Sequence, residues 1–476
     1  MQPETDLSAA VATVEDLPVN SLSTSPPAEP VGVAPVAQQE RIAAVDVVRG
    51  CAVLGILLMN ILTFALVFGG GNDPTNTTLN GGNTRANLAY WFVSQVFFEG
   101  KMRALFSMLF GAGVVLLVTR GDERGGGLRV ADIFYRRTMW LILFGILHAY
   151  FIWWGDILYP YGVFGLFLFP LRKANPKWLL VAGIVLLLIG SGRFFWMGYD
   201  DYKIRARAQA AERAAATGQQ LTDEQKADQK KWEEKQKEFT LDKEKTDKDL
   251  AAHRGSYGKL FAYRAPQVAQ MQSGFMYRFA IHDIAAMMLI GMALLLMGVL
   301  TGQRSNGFYL KLMLFGYLVG GGLNAIVGWY LVKTHFYPVG GMMLFMGSYD
   351  SGRLLVALGH IGLIMLIVKH GSLQWLTSRL AAVGQTALSG YLATSVICST
   401  LFYGYGFALF GKLQRYQLLY VVLAVWVFLL VVSPIWLRLF RYGPMEWVWR
   451  SLTYWQKQPM KLRQAEPLPQ MEPSTT

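Results

Sequence analysis

A histidine in the middle of a long apolar run is the first residue of this chain whose type and place suit it to chemistry. His148 lies in RRTMWLILFGILHAYFIWWGDILYPYGVFGLFLFP, residues 136–170. At about 1.5 Å of rise per residue it sits roughly 15 Å past Thr138, near the middle of a ~30 Å hydrocarbon core. An ionisable group that deep is costly without a partner and marks a functional site by default. The plain alternative is a neutral imidazole hydrogen-bonded between helices. If it reacts, the chemistry open to it is general-base catalysis toward an incoming hydroxyl or amine. Asp156, which follows the Gly155 turn eight residues later, is the candidate group to orient it. A straight helix would hold the two about 12 Å apart. They can share a proton only if the chain bends or another helix supplies a carboxylate. The structural alternative for Asp156 is a turn cap.

Other polar residues enter apolar segments. Asp46 and Arg49 lie three apart in RIAAVDVVRGCAVLGILLMNI, so on a helix they share a face and can pair, as a site or as an interface anchor. Asn60, three turns deeper, suits interhelical hydrogen bonding. Arg136 and Arg137 open the His148 run. Lys101 and Arg103 form a charged cluster with Glu99 and are candidate cofactor contacts, with simple interfacial charge as the alternative. His282–Asp283 and His360 are further candidates for a polar centre, or packed histidines. Tyr159 and Tyr161 add hydroxyls, although most membrane tyrosines are interface anchors. Gly111-Ala112-Gly113 lies inside an apolar run and reads as close helix packing rather than a phosphate loop. No GxSxG elbow, HExxH pair or Cys/His metal spacing occurs, and the two cysteines, Cys51 and Cys398, exclude a disulfide framework. Neither a metal nor a covalently bound cofactor is expected.

The elements that must hold these residues are membrane helices. Of 476 residues 53% are hydrophobic, and they come in long blocks rather than at amphipathic spacing, the pattern of an all-α, polytopic membrane helix bundle. Spans are expected at about 47–68, 104–119, 138–154, 157–171, 178–197, 280–301, 310–332, 353–369, 382–402 and 417–440, about ten in all. The third and fourth are close enough to form a hairpin. Leu88–Phe98 is too short to cross alone and reads as a half-helix or re-entrant piece. The formal charge is +13, yet no basic cluster is interleaved with aromatics as a nucleic-acid strand would require. Lys and Arg concentrate instead on one side of the spans, which predicts a membrane protein with both termini in the cytoplasm. Five regions follow: a disordered tail over 1–40, a membrane bundle over 41–197, a polar helical excursion over 198–278, a second bundle over 279–455 and a tail over 456–476. The excursion, with TDEQKADQKKWEEKQKEFTLDKEKTDKDL, has nearly balanced charges at helical spacing and is expected to shield or gate the face opposite the termini. No convincing internal repeat is present, which weakens an inverted-repeat transporter.

The opening RIAAVDVVRGCAVLGILLMNI, KMRALFSMLFGAG at 101–113, the His148 run, AVGQTALSGYLATSVICSTLFYGYGFALFG at 382–411 and RYGPMEWVWRSLTYWQ from Arg441 together resemble the YeiB-like family of bacterial multi-spanning proteins, domain of unknown function 418. The resemblance spans Arg41 to Trp455 apart from the excursion. That family looks like a branch of the transmembrane acyltransferase superfamily, whose members move an acyl group from cytoplasmic acyl-CoA to an acceptor across the membrane. The resemblance implies Arg136 and Arg137 on the CoA phosphates, His148 at the acyl end, and Asp46 and Arg49 shaping the same channel. In the heparan enzyme of that superfamily the reactive histidine follows the first helix, where this chain (69–87) has none, so the role falls to His148 by depth alone. The expected function is transfer of an acyl group, acetyl foremost, to an envelope glycan, lipid or small molecule. The rivals are a small-molecule transporter and a non-catalytic membrane scaffold.

Overall fold

The computed structural model describes residues 42–67, 84–239, 242–334, 336, 338–371 and 373–462. Among them the chain is helical throughout, with one isolated antiparallel bridge between Phe440 and Lys461. The expected 1–40 tail and most of the 69–87 connection lie outside the described residues.

The elements run α1 (Ala43–Ala65), α2 (Arg85–Phe97), α3 (Lys101–Glu123), α4 (Leu128–Phe151), α5 (Leu158–Gly165), α6 (Pro176–Ala216), α7 (Asp223–Phe239), α8 (Lys243–His253) and α9 (Tyr257–Gln270). They continue as α10 (Met276–Ala280), α11 (Ala286–Leu296), α12 (Asn306–Phe315), α13 (Gly322–Lys333), α14 (Pro338–His370), α15 (Gln374–Gln385), α16 (Ala387–Phe402), α17 (Arg415–Leu439) and α18 (Pro444–Tyr454). Among the described residues six helical stretches are long and apolar enough to cross a membrane. Two bent pairs, α9–α11 at 62° and α15–α16 at 84°, raise that to eight. The chain is thus an all-α polytopic bundle with fewer full-length crossings than the apolar blocks suggest. The block at 157–171 is where the difference is plainest. α5 has eight residues, about 12 Å, and is followed by a 3₁₀ turn at Phe169–Lys173.

Burial sorts these helices into centre and rim. In α11 every residue from Ala286 to Leu295 is buried, so it is the central post, packed on α3 and α6. Glycine makes that packing close. A Cβ on Gly291 would stand 1.9 Å from the Met108 carbonyl oxygen, and one on Gly111 would stand 2.0 Å from that of Met288, so the backbones touch directly. Gly113, by contrast, faces open space. At the rim, α6, α12, α13 and α17 expose large apolar side chains such as Trp178, Leu188, Leu314, Ile326, Val427 and Leu439. Stripes of that size fit lipid rather than water, so this is a multi-pass membrane protein.

The polar excursion is helical as expected, but it is not separate from the bundle. α6 continues unbroken from its apolar half to Ala216, and α7 folds back on it, burying Trp232 with the Arg205 guanidinium 5.0 Å from its ring centre. Asp242 caps α8 by accepting from the backbone N–H of Lys245 (3.3 Å) and of Glu244 (2.9 Å), which holds its carboxyl below the usual carboxylate range. α8 and α9 then dock on the membrane part. The Arg254 Nε donates to the Phe410 carbonyl oxygen at 2.9 Å, and the Gly404 N–H donates to that of His253 at 2.8 Å. His253 also stacks on Phe410 with ring centroids 4.1 Å apart.

Candidate functional site

Two polar groupings lie within the apolar bundle, and the first is built by the end of α4. That helix stops at Phe151, and both Ile152 and Trp153 donate their N–H to the His148 carbonyl oxygen at 2.9 Å, which turns the chain over. Trp153 fixes the turn by stacking on Phe64 of α1 with centroids 4.1 Å apart. Gly155 leaves room for the Trp153 indole, since a Cβ there would stand 2.4 Å from the ring, and the chain re-enters at α5 alongside α4. There Gly145 admits α5: a Cβ on it would lie 2.1 Å from the Tyr159 nitrogen and 2.7 Å from Asp156 Oδ2. The bend therefore brings together what a straight helix would keep apart. Asp156 Oδ1 is 2.9 Å from His148 Nδ1, and Oδ2 accepts from the Tyr159 N–H at 2.7 Å.

With Nδ1 donating to a carboxylate, the lone pair of the imidazole is placed on Nε2. Nε2 is buried and has no hydrogen-bond partner among the described residues. Trp153 stands edge-on to the ring at 6.2 Å, and Tyr391 of α16 lies 5.0 Å away. The Tyr391 hydroxyl accepts from the Ile157 N–H at 3.3 Å. Beyond Tyr391 a narrow crevice between α1 and α16 is lined by Asn60, Phe64, Thr394 and Ser395, among others. The arrangement can orient one imidazole and leave one basic nitrogen unclaimed.

The other candidate residues are placed elsewhere. Asp46 and Arg49 pair at 2.7 Å, as their spacing predicts, where α15 crosses α1. Asp46 is 18 residues, about 27 Å, along α1 from Phe64, so this pair is not at the His148 centre. Arg136 pairs with Asp132 at 2.5 Å, and the Arg137 guanidinium lies 3.8 Å from the Trp449 ring centre. Neither the crevice beside Tyr391 nor a larger cavity runs from these arginines to His148. The larger is an apolar groove between α16 and α17, lined by residues such as Leu401, Tyr420 and Phe428.

Lys101 and Arg103 belong to the second grouping. Lys101 is fully buried and donates to the Gln95 carbonyl oxygen at 2.6 Å and to Asn324 Oδ1 at 3.2 Å. Arg103 Nη2 lies 3.1 Å from Asp283 Oδ2 and 3.3 Å from the Tyr349 hydroxyl. Opposite it, the fully buried Arg353 bonds Asp283 through Nη1 and Asp350 Oδ1 through Nη2 at 2.9 Å. His282 Nδ1 is 3.8 Å from Asp350 Oδ2. Tyr349 donates to Glu99 at 3.3 Å. Two arginines and two aspartates thus alternate across α3, the segment before α11 and α14. His360 is separate from both groupings. Its Nδ1 meets the Tyr317 hydroxyl and its Nε2 the Phe97 carbonyl oxygen, each at 2.8 Å, so it is a packed, satisfied histidine. No group of three or more metal-binding side chains occurs among the described residues.

Sequence reasoning missed Asp350, Arg353 and Tyr391. The first two stand in YDSGR with the same three-residue spacing that identified Asp46 and Arg49, so the signal was present; Arg353 reads as loop charge only because the apolar block begins there. Glu446 was missed as well. Its buried carboxylate accepts from the N–H groups of Leu388 (2.6 Å) and Ser389 (3.0 Å) at the start of α16, the end of a helix that favours negative charge.

Comparison with known proteins places the whole chain. The family model described as protein of unknown function (DUF418) matches residues 294–456. The uncharacterized protein YxaH of Bacillus subtilis is 30% identical over 90% of this chain and 97% of its own length. The uncharacterized protein YeiB of Escherichia coli is 31% identical over 87% and 96%. An uncharacterized 39.9 kDa protein from the amylase 3′ region of Bacillus acidopullulyticus is 25% identical over 90% and 98%. No solved structure matches the chain. Similarity that runs nearly end to end in both chains, together with the family model over the C-terminal bundle, makes this protein a member of the YeiB-like DUF418 family.

Proposed function

We propose that the protein is an acyltransferase of the bacterial cytoplasmic membrane, with both termini in the cytoplasm, acting on acyl-CoA and a hydroxyl- or amine-bearing acceptor. The observation that carries this reading is the His148 ring, held at Nδ1 by Asp156 with Nε2 unclaimed. In the proposed reaction Nε2 takes the acceptor's proton as its oxygen or nitrogen attacks the thioester carbonyl. The carbon–sulfur bond then breaks and the proton passes from His148 to the CoA thiolate. Asp156 orients the ring and stabilises its charged form without itself taking the proton. Arg136 and Arg137 would meet the CoA phosphates, and an envelope glycan, lipid or small molecule would be the acceptor. Binding requires the packing between these arginines and His148 to open.

Turnover of acetyl-CoA by the purified protein, followed as thiol release with envelope extracts as acceptor, tests the proposal. His148→Gln is expected to abolish turnover and Asp156→Asn to lower it by about 10²-fold or more, with acetyl-CoA binding retained in both. Undiminished thiol release from His148→Gln would remove the role assigned to the ring.

One observation favours a second reading, a transporter. The Arg103–Asp283–Arg353–Asp350 grouping sits beside a π-helical break at Ile281–Ala285, and interrupted helices with buried charges mark substrate pathways in membrane carriers. Uptake by vesicles free of CoA would select this reading over the first.

A further inference from the structure

Arg264 is a buried cation without a counter-charge. It sits on α9, is 4% exposed, and among the described residues no carboxylate lies within ion-pair distance of it. Its Nη1 donates to the Ile152 carbonyl oxygen at 3.4 Å, and its guanidinium lies 4.2 Å from the Tyr403 ring centre. Nε and Nη2 are both buried and have no hydrogen-bond partner among the described residues. Those two nitrogens form one edge of the planar group, with parallel N–H bonds, the edge that grips a carboxylate or phosphate with two hydrogen bonds. A charge removed from water with half its donors unmet is strongly disfavoured unless an anion joins it. The unfilled edge of a buried guanidinium therefore describes a receptor rather than a packing feature.

We infer that Arg264 binds an oxyanion, a carboxylate or phosphate group, through its Nε/Nη2 edge at the junction of α9 with the end of α4. The sequence between α8 and α10 carries the essential cation, so the polar excursion contributes to a binding site instead of only covering the bundle. Ile152, whose carbonyl oxygen Arg264 holds, donates its N–H to the His148 carbonyl oxygen, so the bound anion belongs to the same end of the molecule as the His148–Asp156 pair. This site holds whether or not His148 turns over acyl groups, because binding is read without chemistry.

The oxyanion has two sources, a soluble anion or a lipid headgroup, and one experiment with two arms separates them. The full-length protein in detergent is melted across a titration of sodium acetate or sodium phosphate, with sodium chloride holding ionic strength constant. In the second arm it is melted in nanodiscs of phosphatidylcholine with or without phosphatidylglycerol. The expected result in one arm is a saturable rise in Tm of about 3 °C or more for the wild type. Arg264→Met should lose that rise while melting no lower than the wild type without anion, because it removes an uncompensated charge. Arg264→Lys keeps the charge but loses the fork, and should need about tenfold more anion for the same shift; it also serves if the Met variant fails to fold. A rise in the first arm identifies a soluble ligand, and one confined to the second identifies a lipid. No saturable rise in either arm, or an equal rise in the wild type and both variants, overturns the inference.

Discussion

The two buried polar groupings differ in how their charges are matched, although each keeps buried nitrogens without a hydrogen bond among the described residues. Across α3, α11 and α14, Arg103, Asp283, Arg353 and Asp350 alternate in sign, and each charge has an opposite charge against it. At the end of α4, His148 has one partner on one nitrogen and none on the other. Inside a low-dielectric bundle a closed set of charges resists the loss of any member, because the survivors are left unpaired. An open one has little to lose in folding and something to do in binding. The proposed function places chemistry at the second and leaves architecture to the first.

The prediction with the largest effect tests the closed set. Arg353→Met leaves the Asp283 and Asp350 carboxylates facing each other without the cation between them, and should cost about 3–5 kcal/mol of stability, read as a collapse in the yield of monodisperse protein or a steep fall in Tm. An intermediate effect is expected where α5 meets α4. Gly145→Ala places a methyl group 2.1 Å from the Tyr159 nitrogen, which must displace α5 at a cost of about 1–3 kcal/mol, and it should lower thiol release because Asp156 moves with α5. The smallest stability effect belongs to His148→Gln. The Gln amide can still donate to Asp156, so the change should stay within about 1 kcal/mol while turnover is lost. A Tm loss for His148→Gln as large as that for Arg353→Met would erase the distinction between the two regions.

Much of this was legible in the order of residue types. Apolar blocks mark the helices, and the depth of His148 along its block singles it out before any contact is known. Asp46 and Arg49 announce their pairing by spacing. What spacing cannot carry is approach between elements. Asp156 reaches His148 only because Gly145 lets two backbones touch and Trp153 pins the turn against Phe64, a residue more than 80 positions away. An apolar block likewise does not reveal whether it is one crossing, as in α17, or a short helix with a 3₁₀ turn, as at 158–173. The docking of α8 and α9 on 403–411 was also beyond reach, since its hydrogen bonds end on backbone carbonyls that any sequence would supply.

The continuous helix α6 has a mechanical consequence. Its 41 residues make a rod about 61 Å long, twice the thickness of the hydrocarbon layer. A rod without a hinge behaves as a lever: a tilt of about 10° at its Pro176 end carries the Ala216 tip sideways by roughly 10 Å. Because α14 lies along the same rod and α7 is folded onto its tip, a small rocking of the lipid-embedded half is delivered, amplified, to the water-exposed half.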